Sequence, residues 1–293
     1  MDNVAAFPSC AGPLWRDYVT LAKPRVSLTV AFTAATGAVI APGDAHPAML
    51  CVAVLAVALA SGASGAFNMW YERRSDALMK RTANRPLPAG RMAPESALIF
   101  SALLALFSVM LMVAATNGLA TLLLIASIIS YCFIYTVWLK PYTPQNIVIG
   151  GIAGAIPPAI GWAAATGEAP WQAWTLVAII FMWTPAHFWA LALAKSDDYK
   201  NAGIPMMPLV AGRKTTIRLI ALYGFSTIAL GFAPALFLTH PLPYLALSAA
   251  AGIWYADSIV ALLRKDEDKR AIFSFLRSIA YLFAVFIAAM ACA

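Results

Sequence analysis

Asn68, Glu72 and Asp76 follow one another at four-residue steps. On a helix that spacing stacks an amide and two carboxylates along one face. Such a rail of oxygen ligands suits a hard divalent cation such as Mg2+. Lys80, Arg81, Arg85 and Arg91 come directly behind it. A cation rail beside Lys and Arg side chains is what a diphosphate needs. The run Arg85-Pro-Leu-Pro-Ala-Gly-Arg91 cannot be helical. It is expected to form a stiff loop over the mouth of a cavity, with Arg85 and Arg91 on phosphate oxygens.

Other stretches could join that chemistry. Lys140 is the single cation of its loop and a second phosphate contact. Lys23 and Arg25 open an apolar run and read chiefly as headgroup anchors, with phosphate contact as the second reading. Asp197 and Asp198 form a second acidic patch on the same membrane face, so metal could lie between the two patches. His187 is the one histidine inside an apolar run; neutral it suits an iron atom, protonated a carboxylate. Asp257 is expected to pair with an arginine such as Arg264.

The elements that position these groups follow from composition. The chain has 293 residues, 62% of them hydrophobic and 11% charged, with a mean hydropathy of +0.77. Apolar runs of about twenty residues recur, the length a bilayer-crossing helix needs. Nine are expected, near 26–42, 48–67, 95–115, 118–138, 146–165, 171–194, 215–238, 243–263 and 271–292. The fold class is therefore all-α, a polytopic membrane protein with a lead over 1–25 and a single nine-helix domain over 26–293. With the amino terminus in the cytoplasm, all twenty Lys and Arg fall on the cytoplasmic side or in the first turn of a span leaving it. Asp44, His46, Glu168 and His240 occupy the opposite loops, without Lys or Arg. That asymmetry orients the protein: carboxyl terminus opposite, active site toward the cytoplasm, a bacterial inner membrane as the simplest location. The net charge of +7 is thus a topology signal, and nucleic acid is no expected partner. The four cysteines, Cys10, Cys51, Cys132 and Cys292, have no metal-ligand spacing and read as small buried residues. Residues 1–25 resemble neither a signal nor a transit peptide. The span over 146–165, with Pro157, Pro158 and four glycines, should line the chamber, because irregular backbone at membrane depth needs a cavity or protein around it.

A metal–diphosphate site opening into an apolar interior suits a lipid diphosphate: head on the metal, tail among the helices, aromatic rings around a developing allylic cation. The residues alone leave the acceptor open. A transporter would need ionisable groups along a continuous path, and beyond the inner face only His187 qualifies.

Asn68-x3-Glu72-x3-Asp76 resembles the first acidic motif of the UbiA-type intramembrane prenyltransferases. Met79-Lys-Arg-Thr-Ala-Asn-Arg-Pro-Leu-Pro88 looks like the haem-farnesylating branch, as do Lys23-Pro-Arg-Val with Phe32-Thr-Ala, the stretch 135–167 and the stretch 183–212. The resemblance covers residues 20–290. It implies nine helices around a central cavity, and farnesyl transfer from farnesyl diphosphate to a vinyl group of protohaem IX (haem b). Water addition then gives haem O for terminal oxidases, with a haem A synthase as a candidate downstream partner. Carried over by position, Asn68, Glu72, Asp76 and Asp198 hold Mg2+ and act in catalysis. Lys80, Arg81, Arg85 and Lys140 contact phosphate, and His187 lies near haem. Three departures stand out: Asp198 is followed at the fourth step by Ala202, so the second motif has one acid; Pro141-Tyr142 follows Lys140 where the family has Arg; and Ala186 stands before His187 where the family has proline. The sister reading is a prenyltransferase for an aromatic quinone precursor, which lacks the segments around Arg85 and His187.

Overall fold

A computed structural model describes residues 13–293. Every regular element among them is helical. The long helices are α1 (Pro24–Ile40), α2 (Pro47–Tyr71), α3 (Pro94–Ala115), α4 (Gly118–Tyr142), α5 (Asn146–Thr166), α6 (Trp171–Ala194), α7 (Arg213–Leu236), α8 (Pro241–Arg264) and α9 (Asp268–Ala291). Eight of these are long and apolar enough to cross a membrane, among the described residues, and α1 is a shorter apolar helix of 17 residues. At 1.5 Å per residue α1 reaches about 26 Å, less than the roughly 30 Å hydrocarbon core.

Consecutive helices pack side by side and α9 returns against α1, which closes a ring. Pro at the first or second helical position begins α1, α2, α3 and α8, where its missing N–H costs nothing. Asn117 caps α4, its side chain accepting from the Ala120 N–H. The chain breaks expected in α5 shrink to one step: helix runs over Asn146–Ala155 and resumes at Pro157–Thr166. The lost N–H groups of Pro157 and Pro158 fall at that step, where Ile156 keeps helical dihedrals. In α4, residues Ser130–Leu139 adopt a π-helix, a wide turn that recurs at functional sites.

Close backbone contact fixes α1 against α5. A Cβ on Gly37 would stand 1.9 Å from the Pro158 carbonyl oxygen, and one on Gly161 would stand 1.8 Å from that of Ala34. Small residues at such crossings take the place of a hydrophobic driving force, which lipid does not provide.

Three expectations need correction. Arg277 is the tenth residue of α9, about 13 Å from its start, not at the membrane face. Nη1 of Arg277 donates to Asp257 Oδ2 on α8, and its guanidinium lies over Phe273 and Trp254. Asp257 therefore pairs with Arg277 and not Arg264; a charge at that depth needs a neutralising partner. Cys51 is exposed on α2, whereas Cys132 and Cys292 are buried; Cys10 and the rest of 1–12 lie outside the described residues.

The Gly37→Ala variant is expected to lose about 1–3 kcal/mol through overpacking, read as a lower melting midpoint in detergent. Gly118→Ala, where a Cβ would meet nothing within 4 Å, should leave that midpoint in place.

Candidate active site

The rail forms across a junction. Helix α2 ends at Tyr71, and a five-residue helix, Arg73–Ala77, follows Glu72. The four-residue hydrogen-bond ladder still runs through, with Glu72 N–H on Asn68 O at 2.9 Å and Asp76 N–H on Glu72 O at 2.8 Å. Asn68, Glu72 and Asp76 therefore share one face, and all three are buried.

Each rail residue receives a cation from a different part of the chain. Lys23 Nζ donates to Asn68 Oδ1 at 2.9 Å. Lys140 Nζ donates to Glu72 Oε2 at 2.6 Å. Arg85 Nη1 donates to Asp76 Oδ2 at 2.6 Å. Asn68 Nδ2 donates to Thr136 on the π-helical turn at 3.3 Å, which orients the amide oxygen. One oxygen on each carboxylate, Asp76 Oδ1 and Glu72 Oε1, is buried without a well-directed hydrogen bond, although Lys140 Nζ stands 2.5 Å from the latter. A buried carboxylate with a spare oxygen is a fitting ligand for a hard cation.

Lys23 is placed by strain. It precedes Pro24, which disfavours the right-handed helical region. It adopts a left-handed conformation with φ 47°, alone among the described non-glycine residues. That turn aims its side chain across Gly65, where a Cβ would come within 3.2 Å of Lys23 Cδ. Burial pushes its pKa down to about 7; Arg85 and Lys140 add to this, and Glu72 and Asp76 oppose it. An anion arriving between these cations would favour the charged form.

The rail forms one end of a cavity of about 530 Å³. Lys23, Arg25, Arg81, Arg85 and Lys140 line its polar end. Deeper, the walls are apolar, with Val57, Leu124, Ile160, Ile180 and Phe283 among them. Tyr131 and Tyr135 of α4 border the transition, their rings 5.3 Å apart. Gly150 makes room for Tyr135: a Cβ there would meet the ring at 2.2 Å. His187 faces the same space from α6, about 10 Å along the helix from its end. As expected, α5 lines the chamber, through Gly150, Gly151, Gly154, Pro157 and Ile160.

The structure does not gather every candidate. Lys80 is exposed and outside the cavity wall. Asp198 is half-buried in a short helix, Ser196–Asn201, and is not part of the wall either; Tyr199 of that helix and Met206 beyond it are. No group of three or more His, Cys, Asp or Glu side chains poised to hold a metal occurs among the described residues. Arg91, expected on phosphate, turns away. Its Nε donates to buried Asp17 at 3.0 Å and its Nη2 to Asn84 O at 3.0 Å. With Leu87 and Met92 packed against Leu21 and Met69, this latch ties the loop to the short helix Trp15–Leu21. Sequence reasoning gave Lys23 a phosphate contact only as its second reading, and did not single out Tyr131 or Asp17 as site residues. The Lys23-Pro24 step was the available signal for the first; Asp17 carried none, since its partner is 74 residues away.

Residues 30–290 match the UbiA prenyltransferase family. The chain belongs to that family. Among its relatives is a protoheme IX farnesyltransferase of Sinorhizobium fredii, 50% identical over 277 residues, spanning 92% of this chain and 86% of that one. Another, from Parvibaculum lavamentivorans, carries the same name and is 47% identical over 293 residues, spanning 97% and 91%. Solved structures with the same fold include a digeranylgeranylglyceryl phosphate synthase (TM-score 0.77, 16% identity, 94% of this chain and 97% of that one). A second is a UbiA homologue from Archaeoglobus fulgidus bound to DMAPP and Mg2+ (TM-score 0.70, 19% identity, 92% and 99%). These likenesses speak to the fold of this prenyltransferase: an all-helical, multi-pass membrane transferase.

Asp17→Ala is expected to raise amide hydrogen exchange across 82–91 while α8 stays protected. Unchanged exchange there would mean that Leu87 and Met92 hold the loop without the ion pair.

Proposed function

We propose that this prenyltransferase moves the farnesyl group of farnesyl diphosphate onto a vinyl group of protohaem IX, which with water gives haem O. The cavity carries the proposal: a charged rail at its mouth and an apolar chamber behind it, in a chain half identical to protoheme IX farnesyltransferases. Those relatives favour haem over an aromatic quinone precursor as acceptor. The charge pattern of the loops supports a bacterial inner membrane, an inside amino terminus and a cytoplasmic mouth; a haem A synthase would take the product.

Asn68, Glu72 and Asp76 would hold Mg2+, with Asp198 as a further carboxylate if the Ser196–Asn201 helix closes on the mouth. When bound, the cation neutralises the diphosphate and so eases its departure. The chain's own groups do the rest. Lys23, Lys140 and Arg85 exchange their carboxylate and amide partners for phosphate oxygens, and Arg81 and Lys80 approach from the loop. The farnesyl chain extends into the apolar chamber, which keeps water from the breaking C1–O bond. Tyr131 and Tyr135 turn ring faces toward the positive charge that develops on C1. The vinyl terminal carbon then bonds to C1, and water adds at the adjacent carbon with loss of a proton.

Expressed in a host without haem O synthesis, the chain should yield a membrane haem heavier than haem b by a farnesyl group plus water. Haem b alone from folded protein would refute the proposal. Asp76→Asn should lower turnover by a factor of about 10² or more, the loss typical of a charge-stabilising group. Because each rail residue already has a cation, Mg2+ alone should bind weakly in calorimetry. It should bind far more tightly when inorganic diphosphate is present. Equal affinities would mean that the cations do not exchange.

A further inference from the structure

We infer that His187 is the iron ligand that positions the porphyrin, and that Ser278 fixes the tautomer that lets it do so. The inference rests on the haem-directed reading above and adds the atom that makes the bond.

The imidazole is held on three sides. Its faces stack between Trp183, with centroids 4.1 Å apart, and Phe275 at 4.4 Å. Its Nδ1 lies 2.8 Å from Ser278 Oγ. Trp183 is tethered to the same residue, its Nε1 donating to Ser278 O at 2.8 Å. Two side chains of α6 are thus pinned to one turn of α9, and Ser278 is fully buried.

Proton counting sets the tautomer. A serine hydroxyl has one proton. Ser278 Oγ donates it to Phe275 O at 2.7 Å. The contact with His187 therefore requires Ser278 to accept, so the proton sits on Nδ1. Nε2 is then an unprotonated nitrogen with its lone pair in the ring plane. No protein group among the described residues hydrogen-bonds to it, and His187 lines the cavity. A neutral imidazole with Nδ1–H held by an oxygen and Nε2 free is the state in which histidine binds metals.

A packing histidine would need neither arrangement. Buried polar atoms are ordinarily paired, and a residue serving only to fill space would be less costly as Phe or Leu. The position also suits the reaction. His187 lines the same cavity as the rail, from a point about 10 Å inside the end of α6. Ligation through Nε2 would anchor the porphyrin at the wall of the cavity that the rail also borders. Ligation thereby turns a flat, mobile hydrophobic acceptor into an oriented one.

The test uses the full chain in nanodiscs with protohaem IX as probe. Ferrous resonance Raman and magnetic circular dichroism of the wild-type complex should show an iron–histidine signature. His187→Ala should lose it, with haem affinity falling about tenfold or more, and added imidazole should restore both the spectrum and part of the turnover. Ser278→Ala should keep haem but shift the iron–histidine vibration and raise the KM for haem more than it lowers kcat. Asp76→Asn should keep the wild-type haem spectrum while losing transfer. An unchanged spectrum in His187→Ala, or a wild-type complex that makes product without a histidine signature, overturns the ligand assignment and leaves the haem reaction standing. A wild-type chain that neither binds protohaem nor makes haem O overturns both.

Discussion

Two buried carboxylates at the end of a membrane helix impose the main constraint on this protein. A buried charge left without a partner costs several kcal/mol. Glu72 and Asp76 are both buried, so each must bring a cation with it. The partners come from far along the chain: Lys140 from the end of α4 and Arg85 from the loop after the rail, while Lys23 at the start of α1 closes on Asn68. Satisfying these charges pulls three separate segments together at one end of the ring. The glycine crossings between α1 and α5, the left-handed turn at Lys23 and the Asp17–Arg91 latch all serve that convergence.

The same arrangement explains how the site can be stable and still reactive. Its cations already neutralise the carboxylates, and under the proposed function the same groups would pass to a diphosphate. Charge would then be exchanged between partners and never left bare. The apolar chamber behind the rail needs no such compensation, because lipid and protein solvate an isoprenoid chain about equally well. His187 marks the boundary between the two regimes. It is the one histidine within a span, and its hydrogen-bonding capacity is divided between a protein contact at Nδ1 and an open nitrogen at Nε2.

Sequence by itself determined the membrane class, the nine long helices among the described residues and the rail. Each depends on local order: apolar run length sets a span, and four-residue spacing sets a helix face. Even the Glu72 junction left that spacing intact, because the hydrogen-bond ladder crosses it. The tertiary structure decided which cation meets which acid. Arg85 and Arg91 look equivalent in a Pro-rich loop, yet one reaches Asp76 and the other Asp17, since the loop's turn points them apart. Asp257 found Arg277, 20 residues on, because adjacent antiparallel helices bring those two to one level. Lys23 read chiefly as a headgroup anchor, and the fold brought it to Asn68, as α1 starts beside the end of α2. Pairings of this kind depend on helix order around the ring and on depth in the bilayer, and neither is a property of any local stretch of chain.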